Sequence, residues 1–164
     1  MGLLQHVALM LQQRTDAATV GHVADKTGTP HPFRTDADTR ISIHQEAAFV
    51  EAACVAADDI DFGIAAGLAL DHGTSLPGYI SEHSKTLRHA LQDAARLLPL
   101  VRPGMDFAVA EPGNAASLRL TLSDPALYQY PRHVECVYAG VIGQIRAFTM
   151  RPFFPEQLSF QHDR

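Results

Sequence analysis

The sequence predicts an α+β fold, with N-terminal helices followed by a small antiparallel sheet built from a hairpin, a long helix and a returning strand. Three observations predict it. Apolar residues recur at helical spacing through most of the N-terminal half. Two alternating segments, 106–111 and 117–122, flank strong turn chemistry. A long, apolar-faced helix then separates that hairpin from a last alternating segment at 157–162.

Residues 3–13 open the helical part, with Leu3, Leu4, Val7, Ala8 and Leu11 at helical spacing. The stretch from Thr27 to Asp38, with Gly28, Pro30 and Pro32, reads as a loop or linker. Ser42 begins the next helix, although Glu46 stands one position late for a capping box. Ile43, Ala47, Val50, Ala53 and Cys54 make its apolar stripe, so 42–57 is expected to be helical. Asp58, Asp59 and Asp61 suit the start of another helix, because carboxylates favour helix N-termini. Phe62, Ile64, Ala65 and Leu68 carry that helix to about Leu70, and Gly73 ends it. Pro77 to His83 predicts a short helix. Ser84 is the expected cap of the clearest one, from Thr86 to Leu98, which Pro99 should stop.

Glu111-Pro112-Gly113-Asn114 joins the two alternating segments as a hairpin turn. After a connection over 125–131, Val134, Val137, Tyr138, Val141, Ile142, Ile145 and Phe148 give a wide apolar face to a helix from Arg132 to Met150. Gln157 to His162 alternates and predicts the returning strand.

Composition narrows the function. A chain of 164 residues suits one domain, since domains run about 100–200 residues. Trp is absent, so the core must come from Leu, Ala, Val, Ile and Phe. The net charge is −5 and Lys26 and Lys85 are the only lysines, which argues against direct phosphate binding. Cys54 and Cys136 form neither a disulfide framework nor a zinc ribbon. Apolar runs such as Ile64 to Leu70 fall far short of the ~20 residues of a membrane span. No basic segment precedes the apolar opening, so no signal peptide is read, and the cytoplasm is the expected compartment.

Six pieces, in order, resemble one family. They are Asp38-Thr39-Arg40-Ile41-Ser42, then Glu51-Ala52-Ala53 with Asp61 to Gly67, then Leu76-Pro77-Gly78-Tyr79. Thr86-Leu87-Arg88-His89-Ala90-Leu91, Arg132-His133-Val134-Glu135 and Pro155 to His162 complete the set. Together they are similar to the N-terminal arabinose-binding-type sensing and dimerisation domain of AraC/XylS-family transcriptional regulators. The resemblance covers roughly residues 35–164, leaving 1–34 as an N-terminal helical segment and linker. It implies a bacterial-type regulator that senses a small-molecule effector, an amino acid or organic acid, and forms a homodimer. DNA would be contacted only through a C-terminal helix-turn-helix domain absent from this chain, which makes the chain look like an excised domain or a truncated gene product. Within His133 to Gly140, the spacing also resembles 4-vinyl-reductase and haem-nitric-oxide-associated sensor domains, a free-standing small-molecule or metal sensor. A ligand-free dimerisation module is the third reading.

Catalysis is not expected. Asp71-His72 and Ser81-x-His83 lack a nucleophile elbow. Gly63-x-x-x-Gly67 lacks the lysine of a phosphate loop and reads as close helix packing. His133, Glu135 and Cys136 are metal-ligand types, but they do not share one helix face and zinc needs three or four converging ligands. No cofactor or metal is expected. For a mostly apolar pocket with a few polar anchors, the candidate ligand-binding residues are Tyr79, Arg88, Arg119, Arg132, His133 and Tyr138. Arginine would grip a carboxylate. The small residues Ala139, Gly140 and Gly143 offer a face to a second copy.

Overall fold

In the computed structural model, residues 2–34, 39–71, 76–111 and 115–162 are described. The chain begins with α1 (Leu3–Arg14) and α2 (Ala17–Thr27). Sequence analysis did not assign α2, yet its ends carry strong signals. Asp16 accepts a hydrogen bond from Thr19 N–H at 2.7 Å, and Gly28 closes the helix at φ 61°, a left-handed turn that glycine adopts readily. The linker expected over Thr27–Asp38 therefore begins only after Gly28, and its residues 35–38 lie outside the described part.

Ser42 caps α3 (Ile43–Ala56). Its Oγ accepts from Gln45 N–H at 3.2 Å, while Gln45 Oε1 accepts from Ser42 N–H at 3.1 Å. The capping box is thus complete, closed by Gln45 rather than Glu46. That frees Glu46 to turn inward. α4 (Phe62–Leu68) follows a turn in which Asp59 Oδ1 accepts from Asp61 N–H at 2.9 Å. The glycine expected to end it, Gly73, lies outside the described residues. α5 (Leu76–Glu82) is the short helix expected there.

Thr86, not Ser84, caps α6 (Leu87–Val101), accepting from His89 N–H at 3.2 Å. Ser84 instead donates to the Ile80 carbonyl at the end of α5. Pro99 does not stop α6. It sits in the last turn, where the helix has little left to lose, and the chain leaves at Arg102.

β1 (Met105–Ala110) and β2 (Ser117–Leu122) pair antiparallel, with Met105 opposite Leu122 and Ala110 opposite Ser117. Their turn, 112–114, lies outside the described residues. A 3-10 turn (Pro125–Gln129) leads into α7 (Pro131–Thr149), whose first residue is a proline, a position where the missing N–H costs nothing. The returning strand is not formed. Residues 157–160 run without pairing to either strand. Their alternation does not mark one buried face: Phe160 stacks edge-on against Tyr138 of α7, at 5.8 Å between ring centres, while Leu158, of the same phase, is exposed.

Two cores result. α1 to α4 share Leu3, Leu4, Val7, Leu11, Val20, Phe49 and Phe62, joined by Cys136 of α7. The hairpin buries Met105, Leu120 and Leu122 with Ala47 of α3, Leu127 and Val134. α3 and α7 therefore serve both. α4 lies against α7 with almost no space between backbones. A Cβ on Gly67 would stand 2.2 Å from the Cys136 carbonyl oxygen, and one on Gly143 would stand 2.6 Å from that of Leu68. The close packing expected of Gly63-x-x-x-Gly67 is present. It also engages Ala139 and Gly143 within the chain, so these residues do not form an open face for a second copy.

Candidate functional site

α6 is strongly amphipathic, yet of its residues only Ala90 is fully buried. Leu87, Leu91, Ala94 and Leu98 remain half-buried because they face a cavity of about 390 Å³ instead of packing on α7. Val137, Gly140, Val141, Ile145 and Phe148 of α7 form the opposite wall, and Met105, Phe107 and Leu118 of the hairpin form a third side. The volume lies in the range of small-molecule pockets, about 300–1,000 Å³.

The polar groups of this cavity come from different elements. Glu46 of α3 reaches in beside Arg102, which follows α6. The Glu46 carboxylate accepts from the Arg102 guanidinium and from His133 Nε2, the latter at 3.0 Å. Burial opposes its charge, but Arg102 and His133 prevail and hold its carboxyl below the ordinary range. Ser81 of α5 lines the cavity and donates to the Ala90 carbonyl at 3.2 Å. Gln144 of α7 also lines it, and its Nε2 is buried without a hydrogen-bond partner. Burial pushes the Cys136 thiol up to about 12 and that of Cys54 up to about 11, so both stay protonated and weak as ligands or nucleophiles. Among the described residues, no three His, Cys, Asp or Glu side chains converge as a metal site would require.

The six residues singled out in the sequence are dispersed. Tyr79 is 57% exposed on α5 and stacks on His83, ring centres 4.3 Å apart. Arg88 projects from the outer face of α6 to Glu111. Arg132 binds Glu51 through its backbone N–H at 2.6 Å and its Nη1 at 2.8 Å. His133 is fully buried and reaches the main cavity only through Glu46. Arg119 and Tyr138 come together at a second hollow of about 620 Å³, between β2, α7 and residues 159–162. Three polar groups there are already engaged: Tyr138 and Tyr128 hydroxyls accept from Leu120 and Leu122 N–H groups, and His162 Nε2 pairs with Glu135 at 3.2 Å.

Sequence reasoning passed over Glu46, Arg102 and Gln144. Two of them carried a readable signal. Gln144 interrupts the stripe Val137, Val141, Phe148, and Glu46 interrupts Ile43, Ala47, Val50, so each is a polar residue on an apolar helix face. Arg102 had no such signal, because its role depends on where α6 ends.

Comparison with known families places this architecture. The model for the N-terminal arabinose-binding domain of AraC transcription regulators matches residues 19–164. Among curated proteins no match was found.

Proposed function

The chain belongs to the family of N-terminal arabinose-binding domains of AraC transcription regulators, and from that premise we propose that a small-molecule effector occupies the cavity between α6 and α7. One observation carries the proposal: two long apolar helix faces oppose each other across a void rather than closing on it. An apolar surface left unpacked loses dispersion contacts and is stabilised by whatever fills it.

Occupancy would tie α6 to α7. The far end of α7 holds the segment that leaves it, since Arg146 Nε donates to the Phe153 carbonyl at 3.0 Å. In this reading the effector shifts a population of α6–α7 arrangements and thereby controls an attached helix-turn-helix domain, through which DNA is bound. The effector expected from the family resemblance is an amino acid or organic acid, and the regulator works as a homodimer in the cytoplasm. No described helix is long and apolar enough to cross a membrane.

Thermal melts with a metabolite collection test the site. A ligand that binds only the folded chain must raise the melting temperature. Ala94→Phe fills the lumen from α6 and should abolish that rise while leaving the chain folded. Equal shifts in both proteins would move the site elsewhere. If no compound shifts either one, the cavity is no effector site and a ligand-free dimerisation module becomes the better account.

A further inference from the structure

Resting on the cavity being the effector site, and departing from the amino acid or organic acid that the family resemblance implies, we infer that its ligand is an uncharged, largely hydrocarbon molecule bearing a hydrogen-bond-accepting oxygen that Gln144 holds. The walls come first. Leu91, Leu98, Val141 and Phe148 face the lumen from both helices, so most of any occupant would lie against hydrocarbon. At about 30 Å³ per water, the cavity's 390 Å³ equals about a dozen waters, enough for a bicyclic molecule.

The charges come second. Glu46 and Arg102 are the ionised groups set into the wall, and each is the other's partner. Asp71 stands at the exposed margin. A charged ligand would enter with no unmatched counter-charge in the wall, and charge buried without its own partner is strongly disfavoured.

The third observation supplies the anchor. Ser81 has already spent its proton on Ala90. Gln144 Nε2 has no partner, and an unsatisfied buried donor is a standing penalty. The terminal amide torsion is soft, so this donor can turn to an oxygen in the lumen without any movement of α7.

Four probes of one body separate the alternatives: 2-ethylnaphthalene, 2-acetylnaphthalene, 2-naphthoate and 2-(aminomethyl)naphthalene. Their affinities for the folded chain are read by calorimetry, with melts in parallel. The ketone should bind about tenfold tighter than the hydrocarbon and than either ion, the scale of one hydrogen bond. Gln144→Leu, close in volume, should erase the ketone's advantage and leave 2-ethylnaphthalene within about twofold of its original affinity. Tighter binding of the carboxylate or the amine overturns the inference, as does a ketone preference that survives Gln144→Leu. In those cases the cavity still binds and only the class is wrong. If none of the four binds while a metabolite still gives a melting shift that Ala94→Phe abolishes, this inference fails and the cavity reading stands; if no compound of either set shifts the melt, the cavity reading fails as well.

Discussion

Gly67 and Gly21 carry the same side chain, none, for opposite reasons. A methyl group on Gly67 would overlap the Cys136 carbonyl oxygen at 2.2 Å, and backbone cannot yield as a flexible side chain would. Gly67→Ala should therefore force α4 from α7 and destabilise the fold by about 2–4 kcal/mol. At Gly21, inside α2, the nearest atom is 3.9 Å away, in ordinary contact. Gly21→Ala should stabilise by about 0.5–1 kcal/mol through helix propensity alone. Urea melts of the two variants check both signs, and an unchanged Gly67→Ala midpoint would mean the helices are not so close. Glu46 makes a second prediction at this scale. Its carboxyl is held below the ordinary value of 4.5 in the folded chain, so it contributes stability that is present above that value and lost as pH falls through the folded one. Glu46→Gln leaves Arg102 and His133 without their carboxylate and should cost about 2–3 kcal/mol near neutrality. The gap between variant and native chain should narrow in acid, as pH falls from 4.5 through the lowered folded value and Glu46 itself becomes protonated. A gap that stays constant through acid would remove the carboxylate charge from the explanation.

Elements were legible in the sequence wherever one segment decided its own structure. α3, α6 and α7 each show a helical apolar stripe, and β1 and β2 alternate about a turn, so all five were readable within a residue or so, except that α6 runs past the predicted Leu98 to Val101. Elements decided by their neighbours were not. Residues 157–162 alternate as a strand would, but of them Phe160 and His162 meet α7, on Tyr138 and Glu135, while Leu158 is exposed. The site suffered in the same way. Its apolar wall was written in the stripes of α6 and α7, whereas the void between those stripes arises from how α6 rests on α5 and β1, a tertiary fact. That arrangement predicts a local difference in stability. α6 has one fully buried residue among its fifteen, while α7 has seven among its nineteen. Backbone amides of α6 should exchange with solvent well before those of α7, because sparse packing lowers the free energy of local opening. A cavity ligand should slow exchange selectively in α6. Mass-spectrometric hydrogen exchange reads both effects, and α6 amides as slow as those of α7 in the free chain would show that the cavity does not loosen the helix.

Across the whole molecule, the question is whether residues 35–164 stand alone as the sequence reading divides the chain. The family match begins at residue 19, inside α2. Leu3, Leu4, Val7 and Leu11 of α1 and Val20 and Val23 of α2 lie in one core with Phe49, Val50 and Phe62. Gln45 of α3 also donates to the Gly28 carbonyl at 2.6 Å, and His6 of α1 meets the Ala66 carbonyl of α4 at 3.1 Å. Each buried Leu or Val contributes about 1.5–3 kcal/mol, so these side chains together rival the whole stability of a domain, about 5–15 kcal/mol. Removing residues 1–34 would also lay Phe49, Val50 and Phe62 open to water as one apolar face, which invites association. The shortened chain should lose its cooperative unfolding transition and aggregate. Deleting only residues 1–14 should leave a weakened but folded protein, since α2 would still cover part of α3. Calorimetry of the two deletions decides the matter: a sharp transition for 35–164 near that of the full chain would make the first two helices an appendage, and its loss would make them part of the sensing domain.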